Sequence, residues 1–149
     1  MTQNINNLTW TKKTSEIAKN AFDKAVAFMN KKFPGNTGDF ESLKLVVLHQ
    51  SWSGYFPHGF YSYDTPTIVV PPTSLLILRK KDVLFGMYTP NKGIKCTQET
   101  AMAAAMVNEM TYHMQTLNHD KKSAEAARIN SVYFIMEFSP GIFQQLLSK

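Results

Sequence analysis

Ser131-Val132-Tyr133-Phe134-Ile135-Met136-Glu137-Phe138 is the stretch on which the fold turns. It is apolar, aromatic and partly β-branched, the composition of a central strand. Ser139 then caps a final helix, with Pro140 at its favoured first position. Upstream, Thr97 can cap a long helix running to about Asn118, with Glu99 in its first turn against the positive end of the dipole. Asn118 to Asp120 breaks that helix, and Lys121 to Ile129 forms a further short one. With Ser131 to Phe138 as a strand, the last third reads helix, helix, strand, helix.

The first half supplies the rest of the sheet. Ile17, Ala21, Phe22, Ala25, Val26, Met29 and Phe33 recur at spacings of three and four, which predicts an amphipathic helix over Thr14 to Phe33. Pro34-Gly35 stops it, and Gly35 to Asp39 connects onward. Leu43 to His49 reads as a strand buried on both faces. Phe60 to Tyr63 and Thr67 to Val70 read as short extended pieces, the second confined to an edge or bulge by Pro66, Pro71 and Pro72. Ser74 to Arg79 and Val83 to Tyr88 read as a hairpin around Lys80-Lys81-Asp82. Short turns between consecutive strands imply antiparallel pairing. The expected architecture is therefore α+β: an antiparallel β-meander of about five strands against two amphipathic helices, as a two-layer sandwich. Residues 1 to 149 form one domain, with 1 to 8 loose. Leu45, Val47, Leu76, Leu78, Leu84, Phe134 and Met136 are expected in the sheet, with Phe22, Met29, Met106 and Met110 packed on its face.

The 149 residues, 44% hydrophobic and 18% charged, suffice for one core without a staple. The lone Cys96 cannot form an internal bridge, which suits a reducing cytoplasm. The amino-terminal residues lack the basic and apolar regions of a secretory signal, and no apolar run approaches a membrane span. Net charge is +5, from 14 lysines but only Arg79 and Arg128. That balance implies a weak preference for anionic partners. It is lean in the arginine that reads phosphates and guanine.

The stretch with functional character is His49 to Asp64. Six of its sixteen residues are aromatic, and Gly54, Pro57 and Gly59 interrupt any regular period. Such rings need apolar cover from the core, a ligand or a partner. As a lid on the sheet they are structural. As a site, Trp52, Tyr55, Phe56, His58, Tyr61 and Tyr63 bind the ligand, combining apolar area with hydrogen-bonding tips.

Other candidates are weaker. His113 and His119 lie six apart, not the three or four that helical metal ligands need, and neither CxxC nor HExxH occurs. Met102, Met106, Met110 and Met114 fall four apart, as a core face or an adaptable groove for self-association. The final Ile142, Phe143, Leu146 and Leu147 add a second apolar set. Cys96 ahead of the long helix could have a lowered thiol pKa, yet no base can be placed beside it. Lys12-Lys13, Lys31-Lys32, Lys80-Lys81 and Lys121-Lys122 make a phosphate-attracting patch only if two pairs share a face.

The strand leading through Asn91-Lys92-Gly93-Ile94-Lys95 into a helix resembles, in layout, the acyl-CoA-dependent N-acetyltransferase family. There a glycine-rich turn aims N–H groups at a pyrophosphate. The likeness spans about Val83 to Phe138 and depends on element order, and the family's glycine-rich signature is reduced to Gly93. The hairpin feeding a long helix is also similar to profilin-like domains, with no diagnostic residue in common. The leading expectation is a cytoplasmic, non-catalytic binding protein without a cofactor. It holds a small molecule or protein segment at residues 49 to 64 and self-associates. The alternatives are an acyl-CoA-dependent N-acyltransferase-like enzyme and a single-strand nucleic-acid binder with stacking rings and backbone-tracking lysines.

Overall fold

The computed structural model describes residues 5–6, 12–35, 40, 43–47, 60–62, 66–70, 75–76, 94–95, 97–121, 123–138 and 141. Three helices hold most of these: α1 (Lys12–Lys32), α2 (Gln98–Leu117) and α3 (Ala124–Phe138). The strands are short: β1 (Ile5–Asn6), β2 (Lys44–Val47), β3 (Phe60–Ser62), β4 (Thr67–Val70), β5 (Leu75–Leu76) and β6 (Ile94–Lys95).

The expected α+β sandwich with an antiparallel five-strand meander is not what forms. The described chain is mainly helical, and Ser131 to Phe138 is the second half of α3 rather than a strand. Helix formation begins upstream, where the Ser123 hydroxyl accepts from the Ala126 amide at 3.1 Å and caps the first turn. Ala127, Asn130, Ser131, Phe134 and Ile135 are buried, and their spacing of three and four is a helical face. Two members of that face are polar and satisfied across the helix pair. Asn130 donates to the Thr111 hydroxyl at 2.9 Å, and Ser131 donates to the Ala104 carbonyl at 2.8 Å. Phe134 is therefore a core residue of a helix. Met136, expected in the sheet, is 43% exposed.

The pairing differs too. β1, β2 and β4 run parallel, and only β3 is antiparallel, on β4, in the order β1-β2-β4-β3. Parallel neighbours need a long crossover, and α1 supplies one between β1 and β2. Between β2 and β4 the chain first lays down β3 on the far side, so sequence neighbours are not sheet neighbours. Ile5–Asn6, expected to be loose, pairs with Leu45 and Val46. Leu75–Leu76 pairs with Ile94–Lys95 in a separate two-stranded ladder. The expected partner strand, Val83 to Tyr88, lies outside the described residues, as do Leu78 and Leu84.

The core centres on α2, which contacts α1, α3, β3, β4 and β5. Met102, Ala103, Met106, Val107 and Met110 are fully buried and Met114 is partly buried against them, so the first three members of the methionine row are core and not available for self-association. A helix covered almost all round needs apolar residues on several faces, which is why α2 carries little amphipathic contrast. Thr97 caps it, accepting from the Thr100 amide at 3.2 Å. α1 closes over α2 with Ala18, Ala21, Phe22, Ala25 and Met29 at 0% exposure. Each large side chain among these contributes roughly 2–3 kcal/mol by burial. In the turn past the end of α1, Gly35 has a φ of 76°, the left-handed conformation that glycine adopts without strain.

Candidate functional site

The ends of the aromatic stretch are set by the sheet. β2 ends at Val47, paired with Val70, and β3 begins at Phe60, paired with Val69. Val47, Phe60 and Val70 thus share one sheet edge, formed by the carboxyl ends of the parallel strands. Neighbouring strands are about 4.8 Å apart, so crossing over β4 from β2 to β3 needs roughly 10 Å. Residues 48 to 59 number twelve, and twelve residues can extend to roughly 40 Å. The stretch is far longer than its connection requires. Surplus chain at the carboxyl edge of parallel strands is where open α/β sheets place ligands.

Tyr61 is the one named ring of this stretch among the described residues. It is 7% exposed, and its hydroxyl oxygen lies 2.7 Å from His113 Nδ1 in a buried hydrogen bond. The rings tilt at 56° with centroids 5.5 Å apart. Phe40 meets the same imidazole edge-on at 5.9 Å. Tyr61 therefore fastens β3 to α2 and is core in character at its own position. Trp52, Tyr55, Phe56, His58 and Tyr63 lie outside the described residues, as do His49 and Cys96.

One turn before His113 stands Glu109, 3% exposed in the interior. Asn108 donates to its Oε2 at 2.8 Å and is its only hydrogen-bonding partner among the described residues. Burial pushes the Glu109 carboxyl up from 4.5 to about 7, and the bond from Asn108 opposes that rise only in part. Residues four apart on a helix are surface neighbours, so Glu109 and His113 share one flank of α2, the flank that Tyr61 meets. The region thus joins a carboxyl poised near neutrality, an imidazole and a phenol.

Neither Glu109 nor His113 stood out in the sequence as a site residue. The signal was available: two ionisable residues at i and i+4 inside a run of Ala, Met and Val. Such polar groups on an otherwise apolar helix are exposed, hydrogen-bonded within the core or functional. His119, weighed with His113 as a metal pair, is exposed in the turn after α2, with a φ of 57°.

The lysine pairs are partly accounted for. Lys31 pairs with Glu137 at 2.7 Å, and Lys32 Nζ sits 4.0 Å from the Tyr133 ring centroid. Lys121 lies at the opposite end of α3, roughly 20 Å away along the helix. Those two positions do not share a patch. Lys12 and Lys13 open α1, and Lys80, Lys81 and Lys122 lie outside the described residues. The acyltransferase-like layout depended on a strand over Ser131 to Phe138, and that element is helix.

No helix among the described residues is long and apolar enough to cross a membrane. Comparison of the chain with protein-family models, with curated proteins and with solved structures finds no match.

Proposed function

We propose that this chain is a non-catalytic binding protein that holds a small molecule at residues 49 to 64. The observation that carries the reading is the anchoring of the aromatic stretch. Residues 48 to 59 span between two points at the carboxyl edge of the parallel strands, Val47 and Phe60, and Tyr61, in the strand that follows, bonds to the central helix. A rigid frame with surplus aromatic chain suits ligand capture, because rings supply contact area at low conformational cost. Trp52, Tyr55, Phe56, His58 and Tyr63 form the contact surface in this reading, and Tyr61 is its fixed foundation. A protein segment is the alternative occupant. Placement in the cytoplasm is part of the proposal, from the single cysteine.

Self-association is also part of it. Leu117, Tyr133, Met136 and Phe138 are 40 to 44% exposed, leaving apolar area for a second copy.

Native mass spectrometry of the purified protein and of its Trp52→Ala variant tests the binding reading. The expected result is a small-molecule adduct on the 16.9 kDa chain that the variant loses while keeping its helical circular dichroism. An adduct held equally by the variant overturns the reading.

A further inference from the structure

The geometry points to a ligand carrying an organic ammonium group, received by the Glu109 carboxylate beside His113 and Tyr61. This inference rests on the proposed binding at residues 49 to 64 and names the chemistry of the occupant.

The argument starts from an imbalance in the interior. A carboxyl that is 97% buried normally has a cation or several donors around it, because an isolated buried charge costs several kcal/mol. Glu109 has one donor, the amide of the adjacent Asn108, on one of its two oxygens. Among the described residues no ion pair involves it, whereas the half-buried Glu99 and the exposed Glu137 are matched by Lys24 and Lys31. Two of the outer acids are thus paired, and among the described residues the buried one is not. Among the described residues, β3 brings Tyr61 to this flank, β4 and β5 carry no ionisable side chain, and α3 carries Glu125, Arg128 and Glu137, none of which forms an ion pair with Glu109. α1 directs Lys24 to Glu99, near the far end of α2 from His113.

What is missing at Glu109 is positive charge with donors to give. A primary ammonium supplies both: one N–H for the free carboxylate oxygen, others for neighbouring acceptors. The surroundings suit the rest of such a molecule. Tyr61 and Phe40 both lie against His113, and aromatic faces attract ammonium groups as well as apolar bodies. The chain's net charge of +5 acts in the opposite sense at long range. Salt screens it over about 8 Å, so it slows arrival more than it weakens a buried contact.

Benzylamine and its uncharged analogue benzyl alcohol separate these contributions in calorimetric titrations at pH 8. Wild type is expected to bind benzylamine at least tenfold tighter than the alcohol. Glu109→Gln, nearly isosteric and neutral, is expected to bind the two alike, and Glu109→Asp to keep part of the preference. Benzylamine affinity in wild type is expected to fall as pH drops below about 7, where the carboxyl takes up its proton. A preference that survives in Glu109→Gln, or no benzylamine binding by wild type, overturns the inference. Equal binding of both probes that Trp52→Ala weakens defeats the ammonium assignment alone. Binding that Trp52→Ala leaves untouched defeats the 49 to 64 reading instead.

Discussion

Glu109→Gln removes the one ionisable carboxyl that the described core has buried, and its effect on stability can be worked through with sign and size. The folded carboxyl sits at about 7 against 4.5 for an unburied one. The native state therefore binds a proton more tightly than the unfolded state does. Below pH 4.5 both states are protonated and the carboxyl costs nothing extra. Between pH 4.5 and 7 the unfolded chain ionises first, and stability falls as pH rises. Above 7 both are ionised and the loss is complete. The difference of about 2.5 pK units at 1.36 kcal/mol each gives about 3 kcal/mol. Glutamine keeps the shape and an amide donor but cannot ionise. Urea unfolding of both proteins, followed by circular dichroism from pH 4.5 to 8.5, is the assay. The variant is expected to match wild type near pH 4.5 and to exceed it by about 3 kcal/mol at pH 8. For a domain of this size that is a rise in Tm of roughly 6–12 °C. A difference that stays constant across this range refutes the assignment of a buried, proton-holding Glu109.

Other outcomes follow from the same structure. Tyr61→Phe leaves the His113 nitrogen without its phenol partner and should cost about 1–3 kcal/mol in urea unfolding; a change near zero would contradict the buried bond. Phe134→Ala should lose roughly 3–5 kcal/mol, while Met136→Lys should stay within about 0.5 kcal/mol. In a strand those two residues would share a face and suffer together, so equal losses would restore the strand. Sedimentation at high concentration should show species larger than 16.9 kDa that Met136→Lys reduces; a clean monomer would remove self-association.

Single elements were legible where one physical signal dominated, although the fold class was not. The apolar period of Thr14 to Phe33 gave α1 and the Thr97 cap gave the start of α2, while Thr67 to Val70 is a strand, β4, that lies between β2 and β3 and not at the expected edge. The architecture was lost at α3. Tyr133, Met136 and Phe138 are apolar residues on its exposed side, while Asn130 and Ser131 are polar residues on its buried side. That inversion erased the helical period and left only β-like composition. Strand direction was lost for a related reason: short connections suggest hairpins, but β2 and β4 meet only after β3 has been placed beyond them. At the candidate site, counting aromatic residues found Tyr61 but not its role. His113, which decides that role, lies 52 positions further on, and only tertiary packing brings them together.

The central claim, that residues 49 to 64 hold a ligand, meets its most direct test in amide hydrogen exchange. The protein as purified is compared with the same protein stripped of small molecules by reversible unfolding, and again after the extracted small molecules are restored. The account predicts that protection across residues 48 to 59 drops on stripping and returns on restoration, while α1 and the centre of α2 keep theirs. Exchange in 48 to 59 that is identical in all three samples, or a change confined to other segments, would contradict it.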